Sequence, residues 1–190
     1  MSTYSVGYFV GSLATASKNR LLAKALMRLA PSELELAEIS FKDLPLYSYD
    51  YDADYPAVAV RFKETIAAVD AVLFVTPEYN RSIPGGLKNA IDWASRPYGK
   101  NAFARKPSAV IGTSPGKIGT AIAQQHLRSI LAFCNSPLMN SIEAYIQFEP
   151  GLITDDGDVT VDTTKEFLRN YMAEFHGFIS RVYSVLPRNQ

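Results

Sequence analysis

Tyr4-Ser5-Val6-Gly7-Tyr8-Phe9-Val10-Gly11-Ser12-Leu13-Ala14-Thr15-Ala16-Ser17-Lys18-Asn19 is the stretch from which the fold is read. Its first seven residues are an apolar, strand-forming run. A short hydroxyl-rich loop follows. An amphipathic segment, Leu21 to Leu29, then opens, with Leu22, Ala25, Leu26 and Leu29 at the i, i+3, i+4, i+7 spacing of a helix. Such a strand–loop–helix places backbone N–H groups and hydroxyls at a helix N-terminus, where the aligned peptide dipoles favour an anion. The loop is a candidate seat for a phosphate monoester; the plainer alternative is a turn with an N-cap.

Working outward, the alternation continues. Leu34–Ile39 reads as a second strand, and Tyr55–Val69 as a helix with Pro56 in its first turn. Ala71–Val75 is a continuous apolar run, as expected of a central parallel strand buried on both faces. Pro84–Ser95 is helical, Ser108–Thr113 is another buried strand, and Lys117–Phe133 is helical after Pro115-Gly116. Ser141–Phe148 reads as the last strand and Thr154–Val161 as a polar, turn-rich excursion. Thr163 to Leu186 is a long helix whose buried face is marked by Leu168, Tyr171, Met172, Phe175, Ile179, Val182 and Leu186.

Five βα units without repeat, linker or low-complexity segment imply an α/β domain over residues 1–190, its parallel sheet covered by helices on both faces. Right-handed crossovers make the doubly wound order 2-1-3-4-5 the natural choice. The ligand site of such a sheet lies beyond the carboxyl ends of the strands, where the winding reverses between strands one and three.

The bulk composition narrows the function classes. The 190 residues suffice for one ordinary core, and the 47% hydrophobic fraction is that of a globular protein. Nineteen Lys and Arg balance nineteen Asp and Glu, so strong attraction to nucleic acid or an anionic membrane is not implied. One cysteine, Cys134, rules out an internal disulfide framework. Neither a signal peptide nor a membrane-spanning run is read, so a cytoplasmic protein is expected.

In this strand order the loops after strands one, three and four converge on one crevice. The second of them is Thr76-Pro77-Glu78-Tyr79-Asn80-Arg81-Ser82-Ile83-Pro84-Gly85, and the third is Thr113-Ser114-Pro115-Gly116-Lys117-Ile118-Gly119. Prolines and glycines supply rigid, closely approachable backbone, which a flat, partly apolar ligand needs at its edges. A phosphate anchor with two edge-gripping loops suits flavin mononucleotide (FMN). Each part also has a plainer reading. The prolines start helices, Gly116 and Gly119 permit close helix–sheet packing, and Glu78 caps a turn.

Other chemistries are not supported. There is no Walker A pattern after Gly11, no Gly-x-Gly-x-x-Gly after the first strand, and no cysteine in the first loop for a phosphatase nucleophile. His126 and His176 lie far apart on helices and read as surface or packing residues, so neither a metal site nor histidine catalysis is expected. Cys134 reads as a buried small hydrophobe. A site without an acid–base pair is compatible with a cofactor that carries the redox step itself.

Gly11-Ser12 with Ser17-Lys18-Asn19, Leu44-Pro45-Leu46-Tyr47, Pro77-Glu78-Tyr79-Asn80 through Ile83-Pro84-Gly85-Gly86-Leu87-Lys88-Asn89-Ala90-Ile91-Asp92-Trp93, and Ser114-Pro115-Gly116 with Gly119 together resemble the NAD(P)H-dependent FMN reductase family. That family includes bacterial quinone reductases, chromate reductases and azoreductases. The resemblance spans nearly the whole chain, and the Pro-Glu-Tyr-Asn to Asp-Trp block is its most specific part.

It implies a flavodoxin-like fold, non-covalent FMN, NADPH or NADH as donor, and ping-pong hydride transfer to quinones, azo compounds, chromate or flavins. By the same match, Ser12, Ser17 and Asn19 bind the FMN phosphate. Pro77, Glu78, Tyr79 and Asn80 border the ribityl chain and isoalloxazine, and Ser114 and Gly116 lie along the pyrimidine edge. A homodimer or homotetramer is implied. Ala14 stands where many members carry arginine, with Lys18 and Arg20 the neighbouring cations. Tyr47 is the candidate for shaping the site from the loop after strand two. Two alternatives to the enzyme are a flavodoxin-type electron carrier and an interaction protein that has lost its flavin.

Overall fold

The structure is a computed structural model that describes residues 2–186 and 188. Its elements run β1 (Tyr4–Val10), α1 (Lys18–Leu29), β2 (Leu34–Glu38), α2 (Ala57–Ala67), β3 (Ala71–Val75), α3 (Gly85–Ser95), β4 (Ser108–Ser114), α4 (Ala121–Phe133), β5 (Tyr145–Gln147) and α5 (Asp162–Val185). The five strands form one parallel sheet in the order β2-β1-β3-β4-β5, as the alternation of elements predicts.

The two-residue period of a strand sorts the core into two layers. Val6, Tyr8 and Val10 of β1, Leu73 and Val75 of β3, and Ala109 and Ile111 of β4 pack with α1 and α5 on one face. Phe9, Val72, Phe74 and Val110 point the other way, into α2, α3 and α4. Phe9 and Phe74 stack across the neighbouring strands at 4.9 Å with their rings 8° from parallel. Fully burying each such ring stabilises the fold by roughly 2–3 kcal/mol.

Helix starts and the edge strand differ in detail from the sequence reading. Pro56 and Pro84 sit at the N-cap rather than inside the first turn; their carbonyls accept the first helical bonds, from Val60 and Lys88. Helix α4 begins at Ala121, not Lys117, because Gly119 takes φ +58° and breaks the run. A Cβ at Gly119 would lie 2.8 Å from the Tyr145 carbonyl carbon, so β5 approaches this turn too closely for a side chain.

Strand β5 is three residues long, not the Ser141–Phe148 expected. Ahead of β5 the chain is bonded by side chains of α4: Arg128 donates to Met139 O at 3.0 Å, and Gln124 to Ala144 O at 2.8 Å. The polar excursion folds back through an Ile153–Val159 bridge and lies on α1, where Lys24 donates to Asp155 O and Arg28 pairs with Asp158.

Candidate functional site

The carboxyl ends of β1, β3 and β4 lie side by side, so the three glycine- and hydroxyl-bearing loops meet at one end of the sheet. Backbone bonds carry the ladder into them: Gly11 N donates to Val75 O, and Thr76 N to Ile111 O. Gly112 makes this proximity possible. A Cβ there would sit 2.0 Å from Thr76 O, so the mouth of the β3 loop rests directly on β4 backbone.

The β1–α1 loop is held by local caps. Ser17 has extended backbone, and its Oγ accepts from Arg20 N at 3.3 Å, making it the N-cap of α1. Ser12 Oγ accepts from Ala14 N at 3.3 Å. Both serines are buried. The N–H groups of Lys18 and Asn19, in the first turn, have no intrahelical acceptor and are oriented for an anion at the helix end. Among the cations near Ala14, Arg20 is bound to Glu38 by two contacts of 2.7 and 3.0 Å. Lys18 lies over the Phe148 ring at 5.8 Å.

Asn19 joins two loops. Its Nδ2 donates to Thr113 O at 2.9 Å and its Oδ1 accepts from Thr113 N at 3.0 Å, so the side-chain amide pairs with both backbone groups of one β4 residue. The residue is 2% exposed. Its amide is therefore committed to holding α1 against the third loop, and only its backbone N–H is left for an anion.

Glu78 performs a long-range cap. Its Oε2 accepts from Ile122 N and Ala123 N, each at 3.0 Å, at the start of α4, whose own N-cap Thr120 caps no backbone N–H with its side chain. Its Oε1 accepts from Arg81 at 3.0 Å. The sequence reading of Glu78 as a cap on the following turn is corrected: the carboxylate caps a helix more than forty residues further along. Ser114 Oγ accepts from Gly116 N at 3.2 Å and donates to Gly119 O at 2.6 Å, closing the third loop on itself.

Glu78, Asn80, Ser114 and Gly116 line one cleft of about 250 Å3, together with Arg81, Ile118 and Gly119. Ser12, Ser17 and Asn19 do not line it; they stand at the adjoining start of α1, which Asn19 bonds to Thr113. Pro77 and Tyr79 are not among its lining residues; Pro77 is buried and Tyr79 half-exposed. Sequence reasoning left Arg81 and Ile118 without a role. It also missed the contact between His126 Nδ1 and Ser82 Oγ at 3.1 Å, which ties α4 to the same hairpin. Nothing periodic marks that pairing.

A larger cavity, about 530 Å3, lies at the opposite end of the sheet, beside Asp70, Lys106 and Tyr183. None of the three loops reaches it.

Tyr47 fastens the β2 loop instead of facing the cleft. Its ring stands edge-on to Trp93 at 5.1 Å, its N–H donates to Asn89, and its hydroxyl donates to Asp52 at 2.8 Å. Burial, then that bond to a carboxylate, pushes its phenol up to about 12. Tyr51 and Tyr55 complete the cluster around Trp93, as loop anchors. His176 is a packing residue, tilted against Tyr4 and bonded to Ser2 O. Cys134 is buried, and burial raises its thiol pKa. No group of three His, Cys, Asp or Glu among the described residues is placed to hold a metal ion.

Comparison with known proteins agrees with this geometry. A family model described as NADPH-dependent FMN reductase matches residues 4–151. The chain is 48% identical over 174 residues to a 2-hydroxy-1,4-benzoquinone reductase of Burkholderia sp, covering 92% of this chain and 95% of the relative. It is likewise 48% identical over 177 residues to a quinone reductase of Pseudomonas putida, covering 93% and 95%. Among solved structures, the flavoenzyme NAD(P)H:(acceptor) oxidoreductase FerB from Paracoccus denitrificans superposes with a TM-score of 0.90 at 46% identity, over 94% of this chain and 98% of that one.

Proposed function

The chain belongs to the NADPH-dependent FMN reductase family, and on that premise we propose that it is an NAD(P)H-dependent FMN oxidoreductase that reduces quinones or similar small acceptors. FMN, when bound, takes a hydride from the nicotinamide and delivers two electrons to the acceptor. The residues fit such a group: a capped helix start for its phosphate, hydroxyls beside it, and two backbone-rich loops at cleft width.

In this reading Ser12, Ser17 and the first-turn N–H groups of α1 hold the phosphate, with Lys18 the nearest uncommitted cation. Asn19 sets the distance between that seat and the third loop. Pro77, Glu78, Tyr79 and Asn80 form one edge, kept rigid because Glu78 is anchored on α4. Ser114 and Gly116 form the other. Tyr79 is the half-exposed member of the first edge. Leu13, Leu46 and Tyr49 are exposed around the same end and support a homodimer or homotetramer built there. No helix among the described residues is long and apolar enough to cross a membrane. The single cysteine supports a cytoplasmic setting.

The observation that carries the proposal is the meeting of the anion seat and the cleft, bonded to each other through Asn19 and Thr113. The test is to load the purified protein with FMN and mix it anaerobically with NADPH or NADH and a benzoquinone. Tight uptake of one flavin per chain and steady nucleotide oxidation without a second reductase are expected. A protein that stays colourless, or that oxidises neither nucleotide, overturns the reading.

A further inference from the structure

The tip of the β3 loop is a two-residue hairpin. Tyr79 and Ser82 exchange both backbone bonds, at 2.9 and 3.0 Å, and the residues between them, Asn80 and Arg81, take φ +51° and +61°. A turn of this hand needs left-handed backbone at both central positions, and Asn-Gly is its usual occupant. Asn80 meets that demand. Arg81 does not, because its Cβ crowds the following carbonyl. The strained arginine persists because the hairpin is held from outside, by Glu78 on the first turn of α4 and by Ser82 against His126.

The bond to Glu78 does not account for an arginine at this position. Glu78 is already satisfied by two N–H groups at the positive end of α4. Arg81 adds one N–H at 3.0 Å, and its own side chain is 68% exposed while that of Glu78 is 7% exposed. A pair of that kind contributes little to stability. Arg81 lines the cleft that Ser114, Gly116 and Ile118 complete, and Glu78 takes one of the five N–H donors of its guanidinium. Lys117 lies in the opposite loop. Glu78 is the acidic residue among those lining the cleft, and its carboxylate is held by α4 and by one N–H of Arg81.

We propose that Arg81 is a specificity-determining residue, whose guanidinium selects molecules carrying an anionic oxygen for entry to this cleft. The shared chemistry is an oxyanion taken by a planar donor fork. It has two possible sources: an ionised hydroxyl on the electron acceptor, or the additional phosphate that distinguishes NADPH from NADH. The proposal rests on the reading of this cleft as the flavin site.

The test compares the FMN-loaded wild type with R81Q, R81K and R81G. In the acceptor arm, NADH is held fixed, and kcat/KM for a hydroxybenzoquinone, ionised at neutral pH, is divided by that for a methylbenzoquinone. In the donor arm, kcat/KM for NADPH is divided by that for NADH, with the methylbenzoquinone as acceptor. A third measurement, independent of turnover, is calorimetric binding of benzoate against benzamide. The wild-type benzoate preference and at least one of the two ratios should fall about fivefold in R81Q and R81G, fall less in R81K, which keeps the charge but loses the fork, and shrink in the wild type at high salt. The arm that falls identifies the source of the oxyanion.

R81G should melt no lower than wild type, since glycine relaxes the left-handed turn. Ratios that are unchanged in both arms, or an R81G that melts well below wild type, would overturn the proposal and leave Arg81 a structural brace. Failure of the wild type to oxidise either nucleotide would sink the parent reading instead, and the benzoate comparison would still decide the role of Arg81.

Discussion

The β1–α1 loop and the β3–α3 loop serve the same cleft end but are stabilised in opposite ways. In the first, the bonds of Ser12 and Ser17 reach two and three residues along the chain, and Leu13 stands 59% exposed. In the second, Glu78 and Ser82 both reach α4, 44 residues away, and the tip tolerates a strained arginine. A loop held by local caps keeps its backbone donors available for a ligand. A loop held by distant partners has its shape before any ligand arrives, so less ordering remains to be done on binding. The first loop is suited to seating a charged group, and the second to gripping a rigid edge.

The sharpest way to break this contrast is Glu78→Ala. It removes two charge-assisted bonds at the start of α4 and leaves their donors partly buried, so a loss of about 3 kcal/mol is expected in urea unfolding. A loss under about 1 kcal/mol would mean that the β3 loop is not held from α4. Asn19→Ala comes next, at about 2 kcal/mol, because the buried N–H and C=O of Thr113 both lose their partner. It should also weaken FMN binding, measured by flavin fluorescence, since the seat and the third loop are no longer joined.

Ser17→Ala should cost about 1 kcal/mol in the flavin-free protein, the usual worth of an N-cap. Its FMN affinity should drop as well. An unchanged affinity would show that the hydroxyl serves the helix alone and that local caps do not mark the anion seat.

The smallest effect lies outside both loops. Lys63 on α2 donates to the carbonyls of Arg96 and Lys100, and burial, reinforced by nearby Lys100, brings its ammonium down to about 8. Between about 8 and the unfolded value of about 10.4, the unfolded chain holds a proton that the folded one has released. The unfolding free energy should therefore rise with pH across that window, and Lys63→Met should flatten the slope. A slope that survives the substitution would assign it to another group.

Much of the architecture was legible in residue pattern. Strand β1 begins and ends where its apolar run does, Ala71–Val75 is buried at every position, and α5 follows its stripe of large apolar residues. The convergence of three loops followed from alternation and crossover handedness alone. The site was legible as a location more than as a set of roles. Ser17 read as cap or phosphate ligand and is a cap in the structure. Glu78 read as cap or ligand and caps a distant helix. Tyr47 read as shaping the site from the loop after strand two, and in the structure it packs on Trp93.

Sequence by itself determined the order of the elements, the sheet they build and the end at which its glycine- and hydroxyl-rich loops gather. These follow from periodicities of two and 3.6 and from chain chirality, which are local properties. Tertiary structure alone decided that Asn19 bonds a residue 94 positions away, that Arg128 and Gln124 bond the chain ahead of β5, and that Arg81 is bent into a left-handed turn. Those outcomes depend on which buried polar group finds which distant partner. The chemical need for a partner is written in each residue, but its address exists only once the chain is folded.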